Sequence, residues 1–163
     1  MSGRVEIVKR LLDAYNDRDW DTIRAACAED MTFYDNALHI GGTSRDEFIQ
    51  AGQKMLEEAP DDRVFDTSFI DADNERVVIS TATYQATHTG PPILPGLEVS
   101  GRQEATRACE IWRFDEQDRL IGNEMFTDLL GVAIELGDVT LPEATVQALN
   151  LQVPPRVPMK YGS

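Results

Sequence analysis

The chain has 163 residues, 42% of them hydrophobic, which suits one domain with a sizeable core. Asp and Glu outnumber Lys and Arg by 29 to 15, and the resulting charge of −14 repels nucleic acid and anionic membrane surfaces, so both are excluded as partners. The two cysteines, Cys27 and Cys109, show neither metal-ligand spacing nor a disulfide framework, which points to a reducing, cytoplasmic setting.

Val5, Ile7, Val8, Leu11, Leu12 and Tyr15 recur at helical spacing across Arg4 to Asn16. The amino terminus has no apolar h-region, so no signal peptide is expected, and no apolar run approaches the ~20 residues of a membrane span. Asn16-Asp17-Arg18-Asp19 breaks the first helix, and Asp19 caps a second, Trp20 to Ala28. Met31 to Asp35 reads as a short strand, and Gly41-Gly42 as a turn. Ser44 opens a third helix through Glu58, where Ser44 with Glu47 fits a capping box and Pro60-Asp61-Asp62 is the stop.

Four strands follow: Arg63 to Asp71, Arg76 to Thr87, Val99 to Phe114 and Arg119 to Thr127. The turn Asp71 to Asn74, the Gly- and Pro-rich loop His88 to Gly96 and the polar turn Asp115 to Asp118 separate them. Leu129, Leu130, Val132, Ala133 and Leu136 return to helical spacing, with Gly137 as a C-terminal stop. A further short helix from Leu141 to about Leu149 precedes a polyproline-like arm, Val153 to Pro158. Helices first and a meander of strands afterwards mean an α+β fold, with helices on one face of a curved antiparallel sheet. We read residues 1–138 as the domain and 139–163 as a tail, either loosely ordered or laid over a neighbouring subunit.

Several words in this order are similar to the SnoaL-like polyketide cyclase family of the NTF2-like superfamily. They are Ala14-Tyr15-Asn16-Asp17-Arg18-Asp19-Trp20, Ala59-Pro60-Asp61-Asp62-Arg63, Thr87-His88-Thr89-Gly90-Pro91, and Asp128-Leu129-Leu130-Gly131 with Leu136-Gly137. The resemblance spans roughly residues 4 to 138. It implies a cone, in which a strongly curved antiparallel sheet wraps around the N-terminal helices and leaves a central apolar pocket. It also implies an enzyme acting on a small cyclic substrate, without metal or organic cofactor, through an acid/base carboxylate matching Asp128. The family usually has Trp where Glu124 stands, and often a His where Tyr34-Asp35-Asn36 closes the first strand. Both departures make the expected pocket more acidic.

Alternation along a strand puts Glu124, Phe126 and Asp128 on one face, which the resemblance makes a cavity wall. A carboxylate desolvated there exchanges a proton near neutral pH, and a second carboxylate drives the two pKa values apart. Asp128 reads either as this acid/base group or as the N-cap of the following helix. Glu124 is either its partner or a structural ion pair with Arg107 or Arg102. His88, at the lip of the loop, is either a substrate-orienting group or a hydrogen-bonded surface residue. Asp35 and Asn36 follow the first strand and reach toward the pocket mouth. Tyr15 points its hydroxyl into the cavity or packs in the core. Arg107 lies mid-strand in a register that the residues leave undecided. Neither histidine has the partners for a metal site.

The leading reading is a cofactor-independent cyclase or isomerase for an oxygenated ring compound, such as a polyketide intermediate. One alternative is an epoxide hydrolase of the limonene-epoxide-hydrolase type, using Asp128, Glu124 or Asp35, and Arg107. Another is a non-catalytic ligand-binding cone. Val77, Ile79, Ile111 and Trp112 lie on long strands whose faces alternate, so part of this apolar surface faces away from the helices, and a sheet-to-sheet homodimer is expected.

Overall fold

The amphipathic stripe of the first helix, α1 (Gly3–Asp17), buries Val5, Val8, Leu11, Leu12 and Ala14. The structure is a computed structural model that describes residues 3–72, 75–93 and 96–148. The proline-rich arm, the Asp73-Asn74 turn and the Leu94-Pro95 step lie outside these residues. Arg18 takes a left-handed conformation (φ 60°) and turns the chain into α2 (Trp20–Ala26), whose N-cap Asp19 accepts a hydrogen bond from Thr22 N. β1 (Cys27–Asp35) starts earlier than its periodicity suggests, because Cys27 already pairs with Leu120 across the sheet.

A three-residue strand, β2 (Ile40–Gly42), stands where a turn was expected; it pairs antiparallel with Phe33, Tyr34 and Asp35. The capping box of α3 (Arg45–Glu58) forms as expected. Ser44 Oγ accepts from Glu47 N, while Glu47 Oε2 accepts from Thr43 N and Ser44 Oγ. β3 (Arg63–Ala72), β4 (Val77–Thr87), β5 (Gln103–Phe114) and β6 (Leu120–Thr127) complete the sheet, and α4 (Leu129–Leu136) and α5 (Glu143–Ala148) follow. Gly137 ends α4 at φ 86°, a left-handed cap that glycine adopts without a Cβ penalty.

The six strands form one curved sheet in the order β2-β1-β6-β5-β4-β3. All pairs are antiparallel except β1 with β6, which run parallel. Strand alternation assigns the faces. Val78, Ser80 and Ala82 of β4 and Glu104, Thr106, Ala108, Glu110, Trp112 and Phe114 of β5 are buried toward the helices. The core joins this inner face to α1, Ile23 of α2, Met31 of β1 and Ile49 of α3. Trp112 Nε1 donates to Ser80 Oγ at 2.8 Å, so the largest inner side chain satisfies its polar atom.

Of the three register shifts among the described strand pairs, one lies in β1 between Cys27 and Thr32 and two more bend the sheet further along. Asp66 (φ 52°) sits in a register shift of β3 between Phe65 and Ser68. The third shift lies opposite the Arg113–Phe114 step, where Phe114 pairs with Leu120 but Arg113 pairs with Gly122. The loop after β4 returns tightly over the end of α3. Gly90 N and Thr89 N both donate to Glu58 O, and a Cβ on Gly90 would lie 1.7 Å from Glu57 O. Only glycine permits that approach. Among the described residues no helix is long and apolar enough to cross a membrane.

Candidate functional site

Between the helices and the inner sheet face lies a cavity of about 330 Å³. Its wall is largely apolar: Leu12, Trp20, Phe33, Phe48, Ile49 and Trp112 contribute to it. Polar groups enter from a few points only, chiefly Tyr15, Asp35, Tyr84, Glu110 and Asn123. A second cavity of about 130 Å³ adjoins it toward the β4–β5 loop and α4. Asp35, Leu38, Met55, Tyr84, Ile93 and Met125 line both, so the two share a wall.

Glu110 is the central group of the first cavity. It is 3% exposed and projects inward from β5. Tyr84 OH donates to its Oε1 at 2.7 Å, and Asn123 Nδ2 donates to its Oε2 at 3.1 Å. Burial raises its pKa to about 7, against the pull of those two hydrogen bonds, and the nearby Asp35 charge adds to the rise. Asp35 closes β1, where its Oδ1 accepts from Ala37 N and Leu38 N at 2.8 and 3.0 Å.

The second cavity holds a cluster around His88. The His88 Nδ1 lies 3.0 Å from Glu58 Oε1, and its Nε2 lies 3.8 Å from Glu104 Oε1. These carboxylates, Glu104 first and then Glu58, hold the imidazole pKa above its usual value, against partial desolvation. Tyr15 OH donates to Asp62 Oδ2 at 2.6 Å. Burial lifts Asp62 to about 6; the Tyr15 hydrogen bond opposes this and the Glu104 charge adds to it.

Of the sequence candidates, Tyr15 and Asp35 line the first cavity, and Asp35 and His88 line the second. The expectation that Glu124, Phe126 and Asp128 face the cavity is corrected. Leu120 is fully buried, and uninterrupted alternation from it would send the even-numbered residues inward. The register shift opposite Arg113 and Phe114 inverts this alternation, so Asn123, Met125 and Thr127 face inward instead. Phe126 is 42% exposed on the outer face, and Glu124 faces Arg113 there at 3.6 Å. Asp128 is exposed and caps α4 by accepting from Gly131 N at 2.9 Å.

Arg107 is also corrected: it pairs with Thr83 on the outer face. Its guanidinium donates to Asp66 Oδ2, Thr83 Oγ1 and Thr81 Oγ1. The carboxylate–arginine trio of the epoxide-hydrolase alternative is therefore not assembled. Asn36 donates from its backbone N and its Nδ2 to Met125 O, tying β1 to β6, and lines neither cavity.

Sequence reasoning missed Glu110, Tyr84, Asn123, Asp62, Glu58 and Glu104. A signal existed for β5. Trp112 and Phe114 belong on the core face, and counting back by two reaches Glu110, Ala108, Thr106 and Glu104.

A family model described as a SnoaL-like domain matches residues 8–122. Among curated proteins no match is found. Solved structures do resemble the chain. AclR, a candidate hydroxylase from Streptomyces galilaeus, is 20% identical at a TM-score of 0.72, over 90% of this chain and 89% of that one. An NTF2-like protein of unknown function from Burkholderia pseudomallei is 20% identical at 0.68, over 83% and 98%. IdmH, a candidate polyketide cyclase from Streptomyces antibioticus, is 19% identical at 0.69, over 83% and 99%. At these identities the structures speak for the fold, whereas the family model covers most of the chain. This chain belongs to the SnoaL-like family and has its NTF2-like fold.

Proposed function

We propose that this protein is an enzyme performing acid/base chemistry on a cyclic, oxygenated and mostly apolar small molecule, of the aldol-cyclisation or isomerisation type. The observation that carries the reading is Glu110: a buried carboxyl with a pKa near 7, hydrogen-bonded to Tyr84 and facing an apolar cavity wide enough for a ring compound. A carboxyl tuned to neutrality both gives and takes a proton at working pH. Glu110 takes the acid/base role that the sequence had assigned to Asp128. Asp35, at the edge of the same cavity, serves as the second carboxylate. The Tyr84 hydroxyl positions Glu110 and reaches toward a substrate oxygen. Trp20, Phe33, Phe48 and Trp112 clasp the ring and exclude water, which strengthens every polar contact within the cavity. The neighbouring cyclase-named fold is consistent with such a substrate.

The test is Glu110→Gln, which keeps the shape and removes the titrating proton. Screening against aromatic polyketide-like compounds should identify a substrate on which turnover falls ~10²–10⁴-fold in the variant, with affinity little changed. Full turnover by the variant would overturn the role of Glu110. Binding without turnover by the native protein would instead leave a ligand carrier.

We also propose a homodimer, joined through the outer sheet face and working in the cytoplasm. Ile70, Phe65 and Phe126 are exposed on that face, beside half-buried Ile79 and Ile111.

A further inference from the structure

Buried polar atoms ordinarily find partners. Asp62 Oδ1, Glu104 Oε2, Thr106 Oγ1 and His88 Nε2 are buried without a hydrogen-bond partner, His88 Nε2 standing 3.8 Å from Glu104 Oε1. All four residues line the second cavity. Glu104 and Thr106 are each 7% exposed and Asp62 is 6% exposed, so bulk water does not replace the missing partners.

The charge around them is one-sided. Asp35, Glu58, Asp62, Glu104 and Asp138 are the carboxylates among the described residues lining this cavity, with His88 and no lysine or arginine. His88 serves Glu58 through Nδ1 at 3.0 Å. Arg18, whose charge reaches Asp62, spends its guanidinium hydrogen bonds on the backbone carbonyls of Tyr15, Pro60 and Asp62 rather than on the Asp62 carboxylate. Asp62 Oδ2 has its donor in Tyr15, but Oδ1 has none. Asp62 and Glu104 therefore lie close enough to repel, and His88, 3.8 Å from Glu104 Oε1, is the one basic side chain among the described residues lining the cavity. Such an arrangement is costly unless a cation completes it.

We propose that the second cavity is an ammonium subsite, which takes the protonated amine arm of a ligand whose apolar ring occupies the first cavity. The proposal rests on the reading of the first cavity as the ring site. A primary ammonium brings three N–H donors, and Glu104 Oε2, Asp62 Oδ1 and Thr106 Oγ1 are three unpartnered acceptors. A hydroxyl brings one donor and no charge, and it leaves the carboxylates repelling each other. The volume of about 130 Å³ accepts a short arm. The shared wall of Asp35, Met55 and Tyr84 lets one molecule reach both cavities. The chain's charge of −14 also favours approach of a cation.

The experiment compares 2-(2-naphthyl)ethylamine with 2-(2-naphthyl)ethanol, two ligands of matching ring and arm, by titration calorimetry of the full chain near pH 7. The amine is expected to bind at least about tenfold more tightly, the scale of one good hydrogen bond to a charged group. Glu104→Gln should bring the amine down to the alcohol's affinity and leave the alcohol unchanged. Asp62→Asn should act in the same direction, and serves if the first variant does not fold. Equal binding of amine and alcohol overturns the ammonium subsite while leaving the ring cavity intact. An amine preference that survives both substitutions also overturns it. Binding of neither compound overturns the ring cavity and the subsite together.

Discussion

Glu110 gives up most of its hydration to reach the inner face, and two hydrogen bonds restore only part of it. Its carboxyl therefore holds a proton in the folded chain that it releases in the unfolded one, between its ordinary 4.5 and about 7. Over that window the folded state binds more protons, so this group's contribution to stability falls as pH rises. Asp62 acts in the same sense between 3.8 and about 6. His88, also raised, contributes stability that is fully present below its ordinary 6.5 and is lost as pH climbs through its folded value. The three effects add. Thermal melts should show the native protein losing stability relative to Glu110→Gln from about pH 5 to pH 7.5, by up to roughly 3 kcal/mol. The constant cost of the variant's mismatched amide against Asn123 does not alter that slope. A gap between the two proteins that is flat in pH would show that Glu110 is not held protonated.

At the scale of elements, the β6–α4 junction places a carboxylate where a strand ends, and the register of β6 decides which way the strand presents it. Asp128 caps α4 through Gly131 N. Its replacement by Ala should cost about 1 kcal/mol of stability, read as a lower melting temperature, while Asn, itself a good cap, should cost little. Both variants should keep turnover, because the carboxylate is exposed and lines neither cavity. Loss of turnover in a folded Asp128→Asn protein would bring Asp128 back into the chemistry. The same junction aims Leu129, Val132, Ala133 and Leu136 at the second cavity, so α4 forms part of that site's wall.

For the molecule as a whole, the sheet has one face filled by helices and one left open. Ile70 (59% exposed), Phe65 and Phe126 stand on the open face with Ile79 and Ile111 between them. The ion pairs Arg107–Asp66 and Arg113–Glu124 lie on the same face. Apolar residues among paired charges suit a two-fold contact that repeats one patch on both copies. Light scattering at micromolar concentration should report twice the chain mass of 18.2 kDa. Charge placed at the centre of the face, as in Ile111→Glu, should return the monomer without filling either cavity. A native protein that scatters as a monomer would remove the dimer.

While the NTF2-like cone came from the resemblance of its words to a family, the sequence by itself determined the helices with their caps, the four long strands and the α+β order. Those features rest on local physics: the stripe from Val5 to Tyr15, the Ser44–Glu47 box, the Gly137 stop and the alternation in β4. It also pointed to Tyr15, Asp35 and His88, whose places at helix and strand ends depend little on register. Only the tertiary structure decided which face of β6 is inside. One bulge beside Leu120 inverts an alternation that otherwise sends Glu124 and Asp128 inward, and a bulge depends on the partner strand. The start of β1 and the existence of β2 also depended on pairing across the sheet, because Cys27 and Ile40 are extended by their neighbours and not by their own propensity. The Glu110–Tyr84 bond and the Asp62–Tyr15 bond span 26 and 47 positions of chain, and no local pattern carries information over that separation.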